Sequence, residues 1–281
     1  MLKTLLDQIV DQKQKILETA REKGSYSWLT ALPLKSAGYV LNKTEFRDAV
    51  ALRYGWKIPN LPTVCQCGEK NSNDHALVCR LGGYVIYRHD VLRDVEAEFL
   101  RECCRNVQLE PSLQPTKGDH LRARTNCEDQ ARADIAATGL WNSFQRTFYD
   151  IRISHPFAQS NLAKSTKQLY MDHENEKMAK YNQRIVEIEK ATFCPLVYTT
   201  TGGTGPRCTA HHKKVAQVIS SKRRERYEDV ISFIRIKTRF ALLRSTLVAL
   251  RGVRGPQKLY KGIPLSAISF GLVPEAPFCE A

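Results

Sequence analysis

The sequence predicts a mixed α/β fold, a small sheet flanked by helices, and three observations carry that expectation. Short β-branched and aromatic runs, "VQLEPSL", "ADIAA", "RTFYDIRI" and "CPLVYTTT", read as strands between turn-forming residues. Segments around them place apolar residues at helical spacing. The two patterns alternate along the chain, as they do when helices pack on a sheet. At 281 residues and 42% hydrophobic content the chain can bury a proper core and is not wholesale disordered.

Taken in order, Leu2, Leu5, Leu6, Ile9, Ile16, Leu17 and Ala20 predict an opening helix that stops near Gly24. "SWLTALPL" is a loop broken by Pro33. Asn42 with Glu45 three residues on forms a capping-box signature for a helix carrying Phe46, Ala49, Val50 and Leu52, ended by Gly55. A helix from about His89 to Cys104 follows, with Arg88-His89-Asp90 at its start. Then come the strand "VQLEPSL", a polar loop, and the strands "ADIAA" and "RTFYDIRI". A long charged helix over 165–190, the strand "CPLVYTTT" and helices near 210–221 and 225–251 complete the chain. Four regions result: a helical platform (1–60), a cysteine cluster (61–87), an α/β core (88–206) and a basic helical extension (207–281).

Formal net charge is +14, so an acidic partner is expected, nucleic acid first. Between Arg207 and Lys261 there are 15 Lys/Arg against 3 Asp/Glu, which makes the extension the basic arm. Arg223, Arg224, Arg235, Lys237 and Arg239, interleaved with apolar residues, are candidates for a nucleic-acid backbone path. Nine cysteines are an odd number, and three cluster with a histidine. That pattern favours a reducing, intracellular compartment and one metal site over a disulfide framework. No apolar run is long enough to span a membrane. The run Lys222-Arg223-Arg224-Glu225-Arg226 reads as a nuclear localisation signal or as the solvated start of a helix.

Two constellations carry chemistry. Cys65, Cys67, His75 and Cys79 offer four soft or borderline ligands within 15 residues, as a closed structural zinc site requires, although the one-residue gap between the first pair is narrow. Asp134 and Asp150 lie on apolar segments at a spacing that suits the two strands of a hairpin. Such paired carboxylates can hold Mg²⁺ for phosphodiester hydrolysis. Arg152 shares a strand face with Asp150. It can stabilise phosphate charge but is a poor proton acceptor, so Lys177 or Lys180 is the candidate amine. Glu96, Glu98 or Glu110 could complete a metal shell, and His89 could contact a phosphate or cap its helix.

This order of elements resembles the C-terminal part of site-specific non-LTR retrotransposon polyproteins. There a Cys-Cys-His-Cys knuckle precedes an Arg-His-Asp/Asn motif and a restriction-like endonuclease of the PD-(D/E)xK class. The resemblance runs from about Phe46 to Val197. Cys65, Cys67, His75 and Cys79 match the knuckle, and Arg88, His89 and Asp90 the Arg-His motif. Asp134 and Asp150 match the two acids, and Lys177, Lys180 and Tyr181 the Lys-x-x-Lys-Tyr helix. Ala133 stands where the family has proline, Arg152 where it usually has lysine, and no Tyr-x-Asp-Asp polymerase motif is present. The resemblance implies a PD-(D/E)xK core, structural zinc, catalytic magnesium, and DNA, with RNA as the second candidate, as partner in a nuclear setting. It leaves two readings open: a DNA-nicking endonuclease module, or a zinc-containing nucleic-acid-binding relic without turnover. A zinc-bearing interaction protein, with its basic helix facing away from the carboxylates, is a third.

Overall fold

In the computed structural model, residues 11–116 and 121–252 are described. Leu2, Leu5, Leu6 and Ile9 of the expected opening helix lie outside them, as do residues 253–281 of the basic extension. The first described helix, α1, is Asp11–Ala20. Helix α2 is Lys43–Tyr54, closed at its start by the expected reciprocal box: Asn42 accepts from the Glu45 amide and Glu45 accepts from the Asn42 amide. Gly55, at φ 66°, ends it. A short helix α3, Asn73–Val78, follows the first two cysteines. Helix α4 is Tyr84–Cys103.

The sheet has four strands in the order β1-β2-β3-β4. They are β1 Arg105–Leu109, β2 Ile135–Thr138, β3 Arg146–Ser154 and β4 Thr192–Thr199. β1–β2 and β2–β3 pair antiparallel, and the β2–β3 hairpin turns at Gly139. β3–β4 is parallel, which demands a crossover. It is supplied by α5 (Thr166–Lys177), a π-helical turn Met178–Asn182 and α6 (Gln183–Glu187). Helices α7 (Pro206–Arg223) and α8 (Tyr227–Arg251) close the described chain.

Side chains alternate across the strands, and the two faces meet different layers. Tyr149, Ile151, Leu196 and Tyr198 pack with Leu92, Val95 and Phe99 of α4, Val215 and Ile219 of α7, and Ile231 and Ile234 of α8. On the opposite face Ala136, Phe148 and Phe193 pack with Tyr181 and Ile185 of the crossover. A strand covered on both sides is largely apolar, as β4 is between its terminal threonines. The C-terminal half of α8, with Phe240, Leu243, Leu247 and Leu250, builds a second core with Trp28, Ala49, Ile58 and Ala76. After β4 the chain passes so close to the platform that a Cβ on Gly202 (φ 91°) would collide with the Ser25 carbonyl.

Two expectations need correction. Helix α4 starts at Tyr84, after Gly83 in the left-handed region, so Arg88, His89 and Asp90 lie in its second turn and not at its start. Their polar side chains look like a cap in sequence, but the buried residues Tyr84 and Tyr87 carry the apolar face back one turn. The long helix over 165–190 is helical from 166 to 187 but wider through its π turn.

Candidate functional site

The cysteine cluster is built locally. Cys65 and Cys67 flank a turn in which the Gly68 amide donates to the Cys65 carbonyl, and the amide of Cys65 donates to Glu69 O. Ser72 caps α3 by accepting from the His75 amide, which sets His75 facing back over the turn. The four ligand atoms all lie within 4.8 Å of one another. Cys65 Sγ is 3.9 Å from Cys79 Sγ, and Cys67 Sγ is 3.3 Å from His75 Nε2. A tetrahedral zinc with bonds of ~2.3 Å to sulfur and ~2.0 Å to nitrogen implies edges of roughly 3.5–3.8 Å. The set is therefore of the right size to hold zinc. Burial raises the Cys65 thiol, but the Cys67 amide and the His75, Cys67 and Cys79 side chains outweigh it, and its pKa falls to about 6. That acidity favours the thiolate a metal needs. Burial pushes Cys79 up.

The carboxylates meet through long-range structure. The Asp134 amide donates to Tyr149 O, which registers it just before β2 against β3. Its Oδ2 accepts from the Ile151 amide at 2.5 Å and lies 3.1 Å from His89 Nε2 of α4. Asp150 is 4% exposed, on the strand face that meets the crossover, with Lys177 Nζ 2.5 Å from its Oδ2. Tyr181, in the π turn, lies beneath both lysines, 5.7 Å from Lys177 Nζ and 5.0 Å from Lys180 Nζ. The chain thus brings His89, Asp134, Asp150 and Lys177 together, and sets Lys180 one turn on, exposed. Arg152 is exposed two residues along β3 on the face of Asp150.

Charge coupling divides the two acids. Burial would raise Asp134, but the His89 hydrogen bond and charge, the Ile151 amide and the Lys177 charge together hold it below the usual carboxylate range. Burial does raise Asp150; the neighbouring Asp134 charge adds to it, and Lys177 only partly opposes it. Burial lowers His89, yet its bonds to Asp134 and Asp90 dominate and carry its pKa to about 10. The two acids therefore sit side by side, with His89 against Asp134 and Lys177 against Asp150.

None of the three acids considered for a metal shell points freely at this pair. Glu96 is fully buried between His211, His212 and the Tyr198 hydroxyl. Glu98 pairs with Lys237. Glu110, whose amide donates to Asp134 O, is held by Arg93 at 2.6 Å. The Glu96 network was not foreseen from sequence, since Glu96 lies more than 100 residues from Tyr198, His211 and His212. Nor was the bond between His89 and Asp134.

The expected backbone-binding cations divide sharply. Arg88 is 3% exposed and donates to Leu77 O; Arg239 is 2% exposed and donates to Gly24 O. Neither reaches the surface, so both are corrected to structural positions. Lys237 pairs with Glu98, and Arg223 with Glu102 at 2.5 Å. Arg224 is exposed at the left-handed end of α7 and Arg235 is half-buried. Helix α8 packs on the sheet face opposite Asp150, so its arginines do not line the carboxylate side, which is the arrangement expected of a zinc-bearing interaction protein.

No described helix is long and apolar enough to cross a membrane. Comparison with protein-family models and with curated proteins finds no match to this chain.

Proposed function

We propose that this chain is a Mg²⁺-dependent DNA endonuclease module with a structural zinc knuckle, of the restriction-like PD-(D/E)xK class and of retrotransposon type. The observation that carries the reading is the convergence of Asp134, Asp150 and the Lys177 ammonium at one end of the β2–β3 hairpin. The donor set fits a hard cation: two carboxylates and no soft ligand. Asp134 and Asp150 would hold the metal, which when bound activates water and offsets charge on the phosphorane-like transition state. Lys177, in contact with Asp150, would assist the attacking water by orienting it and offsetting negative charge as it develops. Lys180 stands one turn away on the same helical crossover. Arg152, exposed along the same strand face, would grip the scissile phosphate. At the knuckle, Cys65, Cys67, His75 and Cys79 would hold zinc. The exposed run from Lys222 supports a nuclear location.

Purified protein is expected to nick supercoiled plasmid in Mg²⁺ and not in EDTA, and Asp150→Ala to slow nicking at least 100-fold. Equal rates for the variant and the native protein would sink the mechanism. A second reading, nucleic-acid binding without turnover, is favoured by the engagement of both carboxylates with His89 and Lys177. Its signature is salt-sensitive binding that survives Asp134→Ala and Asp150→Ala, with no cleavage at any Mg²⁺ concentration.

A further inference from the structure

An exposed aromatic pair ends α2, and the carboxylate chemistry does not use it. Tyr54 and Trp56 stack on one another, centroids 4.9 Å apart and 22° between planes, yet they are 52% and 57% exposed. Gly55, in the left-handed region between them, turns the chain so that residues two apart come together. The Trp56 backbone is fixed at both polar groups: its amide donates to Ala51 O, and its carbonyl accepts from the Asn73 side chain at 2.8 Å. Asn73 is the first residue of α3, the helix that carries His75 of the cysteine cluster. The rings are therefore pre-ordered, although they contribute little to either core.

Their electrostatic setting selects a partner. The Arg53 guanidinium lies 4.0 Å from the Tyr26 centroid and 5.9 Å from that of Tyr54, and Lys57, next to Trp56 in the chain, is exposed. The acids of α2 are neutralised from α8: Asp48 by Arg251 and Glu45 by Arg244. Flat π faces beside cations that have no ion pair among the described residues match unpaired bases joined by phosphates. A duplex buries its base faces in its own stack. An apolar protein partner would use the area but not the flanking charge.

We propose that Tyr54 and Trp56 form a stacking platform for unpaired bases of single-stranded DNA, with Arg53 and Lys57 meeting the adjoining phosphates. The choice of DNA over RNA rests on the nuclease reading above; the stacking itself does not.

The test is fluorescence anisotropy of a labelled single-stranded DNA oligonucleotide, an RNA of the same sequence and the matching duplex, all in buffer without added Mg²⁺. Trp56→Ala and Tyr54→Ala should each weaken single-strand binding at least about fivefold, the lower end for loss of one base–aromatic stack. Duplex binding and melting temperature should be unchanged. Trp56→Phe should restore most of the affinity and Trp56→Leu should not. Native affinity in Trp56→Ala, or rescue by leucine, overturns the platform, the latter pointing to an apolar protein surface instead. Tighter binding of the RNA overturns the choice of DNA. Failure of nicking with Trp56-dependent binding intact would remove the nuclease reading and leave the platform standing.

Discussion

At the cysteine cluster four ligand atoms come from 15 consecutive residues and are oriented by one turn and one helix cap. At the carboxylates, α4, the approach to β2, strand β3 and helix α5 each contribute one group, and residues 89 and 177 meet only through the finished sheet. The first is a metal site that would make structure. Zinc binding at such a site is itself folding free energy. The second depends on structure already made and carries a cost to it, since a buried carboxylate is kept beside another acid. The comparison separates a site that stabilises from a site that the rest of the fold must hold in place.

The largest expected effect lies at the cluster. Structural zinc sites contribute on the order of 10 kcal/mol of apparent binding energy, so chelation or Cys65→Ser should unfold the knuckle and lower the melting temperature steeply. Metal analysis should give one zinc per chain. A melt unchanged by chelator would break the comparison, because the cluster would then be a group of thiols without a structural ion.

Next in size is Lys177→Met, which strands Asp150 without its cation. Loss of one partner of a buried pair costs about 3 kcal/mol, read by urea denaturation at pH 7 in EDTA. The sign follows from the raised acid. Below its unfolded value of 3.8 Asp150 is protonated folded or unfolded, so the penalty is absent. It grows as pH rises toward the folded pKa. Adding Asp150→Asn should recover most of the loss, and failure of that rescue would show that Lys177 matters for packing and not for charge.

The smallest is His89→Gln, about 1–2 kcal/mol for a partly exposed pair. The folded pKa of His89 is raised to about 10, so its stabilisation is full below pH 6.5 and fades as pH climbs to 10. Native and variant stabilities should therefore converge at high pH. A constant difference across that range would remove the ion pair from the account.

What the sequence made legible follows the same division. The capping box of α2 and the cysteine set depend on neighbours within a few residues and appear where the pattern puts them. Four strands form near the four runs, but β1 is Arg105–Leu109 rather than 107–113, because Glu110 turns to φ 48° just before Pro111. The start of α4 was hidden because Arg88-His89-Asp90 resembles a polar cap, whereas Arg88 is buried against Leu77 O and His89 reaches Asp134. Charge pattern also could not tell a solvated arginine from one spent on carbonyls. Arg239, Arg244 and Arg251 all reach main-chain oxygens of the platform. The π turn under Lys180 and Tyr181 leaves no signature in residue type at all, since it is one extra residue per turn accommodated by packing.

Helix α8 is a single rod of 25 residues, about 37 Å long at 1.5 Å per residue. Its first turns wall the sheet core and its last turns wall the platform core. A fragment ending before Tyr227 would lose not an appendage but the partition common to both rooms. The knuckle and the sheet cannot therefore drift independently, as modules on a linker do. Whatever is gripped at one end of the molecule is held at a set angle to the other, as two jaws are on one spindle.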